Sequence, residues 1–345
     1  MKMPGKGLIA HMPAVPYSRY LFASLPWYSF LIALGAALAV FLASREEKRV
    51  SLKKDTIIDL ALWLLPFGII GARIYYVAFS WDQFRGDPIS ILKIWEGGIA
   101  IYGGVIAGFL VILLFCRKRG IPVFLICDLT APGLVLAQSI GRWGNYFNME
   151  AYGQVIADPA LQFFPFGVLI QESSGYVWHM AAFFYESLWN FLVFVFLMAA
   201  RRKLFRRQGD VFLFYLFLYS CGRLVIEDCR TDSLYAGSSV RISQLLSVIL
   251  CISILAVYLF RRIRNDERIP LLPVCFSLFS GVYSVPVLLY SLNLFIHPSA
   301  MPIGERMLFL AGFSLLSISA LLIIYGKTTE GDVIYAIRKI EKPDV

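Results

Sequence analysis

The stretch AAFFYESLWNFLVFVFLMAA, Ala181 to Ala200, decides the fold. It holds a single charge, Glu186, and runs straight into Arg201-Arg202-Lys203. About 20 consecutive apolar residues cross the hydrocarbon core of a bilayer as a helix. Lipid cannot satisfy free backbone N–H and C=O groups, so such a span must be helical. Runs of this kind recur on both sides of it. Working outward, the sequence predicts spans at Leu25–Ala43, Thr56–Phe79, Ile99–Cys116, Pro122–Ile140, Ala181–Ala200, Val211–Ile226, Ile242–Phe260, Leu271–Phe295 and Met307–Tyr325. The sixth is short and polar residues interrupt the fourth. A large barrel would show short alternating strands instead. Composition agrees: of 345 residues 59% are hydrophobic and 16% charged, where a soluble chain carries about 25% charged residues. The expectation is an all-α polytopic transmembrane helical bundle of about nine spans, with a small extracytoplasmic head or arm.

Basic residues orient the spans. One set of alternate loops carries Arg45, Lys48, Arg49, Lys53 and Lys54; Arg117, Lys118 and Arg119; Arg201, Arg202, Lys203, Arg206 and Arg207; Arg261, Arg262, Arg264 and Arg268; and Lys327, Arg338, Lys339 and Lys342. The opposite side carries far fewer. The positive-inside rule then predicts an external N-terminus and a cytoplasmic C-terminus. Basic loops beside an anionic leaflet account for the net charge of +9 without a nucleic-acid partner. The first apolar run reads as a retained span, because its stronger positive flank follows it. The six cysteines lie in or beside spans, with no C-x-x-C pair and no His/Cys ligand spacing, so neither metal nor disulfide is expected. No strong internal repeat is seen, which weighs against an inverted-repeat transporter.

Ionisable groups within spans cost roughly 2.5 to 3.5 kcal/mol each on insertion scales, and persist where they pair, face a cavity or work. Four clusters stand out. Gly141-Arg142-Trp143-Gly144-Asn145-Tyr146-Phe147-Asn148-Met149-Glu150-Ala151-Tyr152-Gly153 directly follows the fourth span. A helical end would put Arg142 and Asn145 on one face. Its glycines permit close backbone approach or positive φ. A guanidinium among amides suits a phosphate; the plainer alternative is an interfacial arginine snorkelling among aromatics. Tyr219, Arg223, Glu227 and Arg230 fall on one stripe of the sixth span. They read either as a self-neutralising ion pair or as two arginines against one carboxylate, with surplus positive charge for an anionic ligand. Trp95-Glu96-Gly97-Gly98 leads into Tyr102-Gly103-Gly104, which reads equally as small-residue helix packing. Glu186, with Asn190 one turn on, either orients an arginine or is a lone interfacial carboxylate. His179 reads as a surface residue rather than a catalytic one, and Arg73 as a structural partner of Asp128 or Asp59.

Together and in this order, these clusters resemble the bacterial prolipoprotein diacylglyceryl transferase family. Arg142 to Gly153, with Gly141 before it, looks like that family's signature G-R-x-G-N-x-x-N-x-E-x-x-G, with every fixed position met. The resemblance covers most of the chain from Trp27 to about Phe260. It takes in Trp27-Tyr28, Gly71-Ala72-Arg73, the glycine pairs around Tyr102, Asp128 with Ala131-Pro132, Tyr185-Glu186, Tyr219 to Arg230, and Gln244. It implies a seven-span core, 1–260, with an extracytoplasmic head at about 142–180. Two additional transmembrane helices in 261–326 and a cytoplasmic tail, 327–345, lie beyond that core.

The resemblance further implies transfer of diacylglyceryl from phosphatidylglycerol to the lipobox cysteine of preprolipoproteins in the bacterial cell membrane. The products are a thioether and glycerol phosphate, and no metal or cofactor is used. Arg142 and Arg223 fall on the family's essential arginines. Asn145, Glu150, Gly153, Glu227 and Tyr28 match other functional positions, and Asn148, Glu186, Tyr219 and Arg230 are candidate substrate-binding residues beside them. The chain departs from the pattern in three places. Tyr102 stands where many members carry a histidine proposed as the base. Met180-Ala181-Ala182 replaces His-Pro-Ser. Two spans follow Phe260. Tyr102 is therefore expected to orient by hydrogen bonding, with the base open. A transporter of anionic lipid and a non-catalytic lipid-binding paralogue are the competing readings.

Overall fold

A computed structural model describes residues 18–264, apart from 23, 173–174, 206 and 237–239, together with part of 307–325. Seven long helices run in order: α1 (Trp27–Glu47), α2 (Thr56–Phe79), α3 (Ile101–Arg119), α4 (Val123–Asn148), α5 (Ala182–Ala200), α6 (Asp210–Cys229) and α7 (Ile242–Arg264). Six of them, all but α6, are long and apolar enough to cross a membrane. At 1.5 Å per residue the 20-residue α6 reaches about 30 Å, enough to span, but it carries the charges of the predicted stripe. Of the two spans expected after Phe260, 271–295 lies outside the described residues. In 307–325 the described residues are helical.

The all-α expectation needs correcting outside the helices. Three short antiparallel pairs occur: β1 (Tyr20–Phe22) with β2 (Leu25–Pro26), β3 (Gly167–Glu172) with β4 (Gly175–Met180), and β5 (Tyr235–Ala236) with β6 (Val240–Arg241). The β3–β4 hairpin lies within 142–180, the stretch expected to form a head. Its register pairs Gly167 with Met180 and Val168 with His179. Val168 and Ile170 turn inward with Ala181 and Phe183, against Trp143 and Tyr146.

The chain divides into two compact units: the described residues of Met1–Gly35, Val135–Arg206 and Leu213–Val345, and those of Ala36–Leu134 with Arg207–Phe212. In the second unit, α2 and α3 approach closely. A Cβ on Gly103 would collide with Tyr75 and the Gly71 carbonyl, so small-residue packing is what these glycines do. Arg73 corrects the expected ion pair. It donates to the carbonyls of Ile91 (2.9 Å), Gly97 (2.7 Å), Gly98 (2.8 Å), Ser90 (2.7 Å) and Lys93 (3.5 Å). The proposed partners are engaged elsewhere: Asp59 pairs with Arg119 at 2.7 Å, and Asp128 accepts from the Gly209 and Phe212 amides at the start of α6. The short turns of 81–98 leave carbonyls pointing inward, and one guanidinium, with five donors, gathers them.

Candidate active site

The site builds on α4, α5 and α6 within the first unit. α4 runs on past the predicted end of its span to Asn148, so the signature forms its last turns rather than a loop. Met149 closes the helix in the left-handed region, φ 53°, and Ala151 repeats that conformation at φ 54°. Neither is glycine, and the left-handed region is costly for other side chains. The two reversals set Glu150 facing back along the helix, where one of its oxygens accepts from Asn145 (2.9 Å) and Asn148 (3.2 Å). Asn148 in turn accepts from Arg19 at 3.1 Å.

Two glycines of the signature are explained by space. A Cβ on Gly144 would lie 2.7 Å from the Tyr28 ring, so this glycine seats Tyr28 against α4. Gly153 is wedged between Met180 and the Cys229 carbonyl, where a Cβ would lie 2.7 and 3.0 Å away. Its amide donates to Met180 at 2.8 Å, and it bridges antiparallel to Arg230. Gly153 thereby ties the end of the signature to the end of α6. Gly141 is different: a Cβ there would meet nothing within 4 Å, and its φ is not positive.

At the centre lies Glu186, only 2% exposed. Arg142 approaches one of its oxygens at 2.6 Å, and Arg223 and Arg230 approach the other at 3.1 and 3.5 Å. Arg223 also reaches Glu227, one turn on, at 2.6 Å. The two 2.6 Å approaches are close ionic contacts rather than aligned hydrogen bonds. Tyr219 lies within the electrostatic reach of Arg142 and Arg223, and Asn145 accepts from Arg142 at 3.5 Å. Tyr28 lies within the electrostatic reach of both Glu150 and Arg142. The predicted stripe is thus one face of α6, and Glu186 orients not one arginine but three.

The expected surplus of positive charge is offset by a residue the sequence reading missed. Asp232 binds Arg230 through two contacts, at 2.9 and 2.7 Å. Burial pushes the Asp232 carboxyl up, but the hydrogen bond and charge of Arg230 outweigh it and leave it below its ordinary value. The pair therefore stays ionised at all pH above the usual carboxylate range and weakens only as pH falls through that lowered value. Three guanidiniums meet three carboxylates: Glu186, Glu227 and Asp232. The i+2 spacing of Arg230 and Asp232 in a turn was the available signal. Arg241, which donates to Asp228 at 2.8 Å and to the Glu227 carbonyl at 3.0 Å, gave none, because the β5–β6 turn-back delivers it. Asn190 on α5 is fully buried, with both amide atoms unpartnered among the described residues.

Two further expectations resolve differently. His179 is not a surface residue: it is 3% exposed. Its Nδ1 faces the Gly153 carbonyl and its Nε2 faces Glu172, each at 2.9 Å, so it pins the hairpin to the signature. Tyr102 belongs to the second unit, where its ring centroid lies 6.5 Å from that of Tyr75.

Half-buried arginines gathered on one buried carboxylate, in a chain with six helices long and apolar enough to cross a membrane, define a class: polytopic helical membrane proteins with an ionic cluster among their helices. The chain belongs to the prolipoprotein diacylglyceryl transferase family, whose model matches residues 18–260. It is similar to the phosphatidylglycerol–prolipoprotein diacylglyceryl transferases of Limosilactobacillus reuteri (45% identity over 245 residues, 70% of this chain and 89% of the relative), Enterococcus faecalis (45% over 244 residues, 70% and 87%) and Streptococcus agalactiae (45% over 240 residues, 69% and 92%).

Proposed function

We propose that this chain transfers the diacylglyceryl group of phosphatidylglycerol to the lipobox cysteine thiol of preprolipoproteins. The observation that carries this reading is the meeting of Arg142 and Arg223, which lie 81 residues apart in sequence, on the one carboxylate of Glu186. A phosphodiester entering there competes with Glu186 for donors a carboxylate does not exhaust, since a guanidinium has five. The cysteine sulfur, reactive as thiolate, forms a bond to the terminal glycerol carbon of the diacylglyceryl group. The bond from that carbon to the phosphate oxygen breaks, and the electron pair leaves on glycerol phosphate. The thiol proton passes to a base or to solvent. Arg142 and Arg223 stabilise charge as it gathers on the departing phosphate, and the site aligns sulfur with carbon. Asn145, Asn148, Glu150, Gly153 and Tyr28 hold the signature in shape around the headgroup. Glu186, Tyr219, Glu227 and Arg230 set the arginines. Tyr102 acts as an orienting hydrogen-bond donor.

The protein would sit in the bacterial cell membrane with nine spans, an external N-terminus and a cytoplasmic C-terminus. The loop charges support this, as does the antiparallel course of 307–325 along α6. The seven-span core, 1–260, would carry the chemistry. The test is a transfer assay with purified protein, phosphatidylglycerol vesicles and a lipobox peptide. Expected are a thioether-linked diacylglyceryl peptide and stoichiometric glycerol phosphate, together with rescue of a transferase-depleted strain. Lipid movement without either product would point to the transporter reading, and binding without turnover to the non-catalytic one.

A further inference from the structure

Beyond residue 260, where the family match ends, a helical segment lies along the back of the arginine-bearing helix. It touches α6 at three levels. Near the end of α6, Cys229 meets Met307, sulfur to sulfur, at 3.3 Å. In the middle, the Ser314 hydroxyl donates to the Cys221 carbonyl at 3.1 Å, and Leu310 packs in a buried cluster with Leu224 and Val248. Near its start, the Tyr325 ring lies 5.1 Å from that of Phe214 and 5.6 Å from that of Tyr258 on α7, and its hydroxyl donates to Leu204. The buried positions of the segment, Leu310, Ser314, Ser317, Leu321 and Tyr325, repeat every three or four residues, while Leu315 and Leu322 are exposed. That is one sealed helical stripe.

The stripe meets the side of α6 away from the site. At about 100° per residue, Arg223, Glu227, Arg230 and Tyr219 cluster within roughly 40° of one direction. Phe214, Cys221 and Leu224 point from about 100° to 180° away. We propose that the helical residues described within 307–325 form a brace that positions Arg223 for the transfer reaction by fixing the rotation and height of α6. Leu310 and Ser314 are its positioning residues, and the inference rests on the transferase function proposed above. Two arginines, Arg223 on α6 and Arg230 just past its end, must meet Glu186, and small rotations of a helix displace long side chains at its surface. An apolar stripe alone permits sliding. The hydroxyl-to-carbonyl bond from Ser314 to Cys221 sets the register on α6.

The experiment uses the full-length chain in phosphatidylglycerol vesicles with a lipobox peptide. Met307→Cys places a thiol against native Cys229, and oxidation is expected to join them as a disulfide detectable by mass spectrometry. Leu310→Ala and Ser314→Val are each expected to lower kcat about fivefold with KM within twofold of the parent, as slight misplacement does, while Ser314→Thr keeps the parent value. In the Leu310→Ala background, the 307–229 disulfide is expected to restore kcat to within twofold of the parent. Absence of the disulfide, unchanged kcat in Leu310→Ala and Ser314→Val, an effect confined to KM, or failure of the disulfide to restore kcat each overturns the brace. A parent chain that transfers nothing sinks the functional reading itself, before any variant is compared.

Discussion

Arg73 and Arg223 are the same residue type in apolar helices, the first buried and the second half-buried, and they solve the same problem in opposite ways. Arg73 hands its donors to backbone carbonyls of one connecting segment. Those carbonyls cannot leave, so the guanidinium is a fixed staple. Arg223 pairs with the carboxylates of Glu186 and Glu227, and Arg142 and Arg230 share Glu186 with it. An arriving anion can take over from a side-chain carboxylate as it cannot from a strand of backbone. The difference separates an arginine locked to backbone from one whose side-chain partners can be exchanged.

The contrast can be broken by substitution, and the largest effect is expected at Glu186. Glu186→Ala leaves three half-buried guanidiniums around a hole, and removing one partner of a buried pair costs on the order of 3 to 5 kcal/mol. The midpoint of thermal unfolding in detergent should fall sharply, and a wild-type midpoint would mean that Glu186 is not the pivot. Next, Arg142→Ala and Arg223→Ala should each lower kcat by about 10²- to 10³-fold, the usual cost of losing one donor to developing negative charge. Full transfer in either variant ends the mechanism.

Arg73→Ala sharpens the comparison from the other side. It should destabilise by roughly 1.5 to 3 kcal/mol, the range for a hydrogen bond to a charged group. The folded fraction should keep turnover within a few-fold of the parent, and a pure loss of kcat at unchanged stability would erase the distinction. Among the signature glycines, Gly153→Ala should cost about 1 to 3 kcal/mol through overpacking against Met180 and Cys229. Gly141→Ala should leave stability unchanged, since nothing lies where its Cβ would go; a kcat loss there at constant stability would mark that space as substrate's. The smallest effect is expected for Tyr102→Phe. A residue that only orients should cost less than about tenfold in rate, and a loss within the general acid–base range of 10² to 10⁴ would make it a proton carrier.

Much of this was legible in the residues. The apolar runs gave the helices, because lipid leaves the backbone no other choice. The spacing of Tyr219, Arg223, Glu227 and Arg230 placed them on one stripe, because helical geometry is local. The lone Glu186 in an apolar run announced a partner, because an isolated charge there is costly. Which partner is a different kind of fact. Arg73 was assigned Asp128 or Asp59 and took carbonyls instead, His179 was placed at the surface and is buried, and Asp232 and Arg241 were not anticipated as part of the ionic cluster. Sequence by itself determined the periodicities and the need for compensation, since both follow from bond geometry and the free energy of burying a charge. Only the tertiary structure decided who compensates whom, because contacts between residues dozens of positions apart depend on how helices are turned about their axes, and no local spacing encodes that rotation.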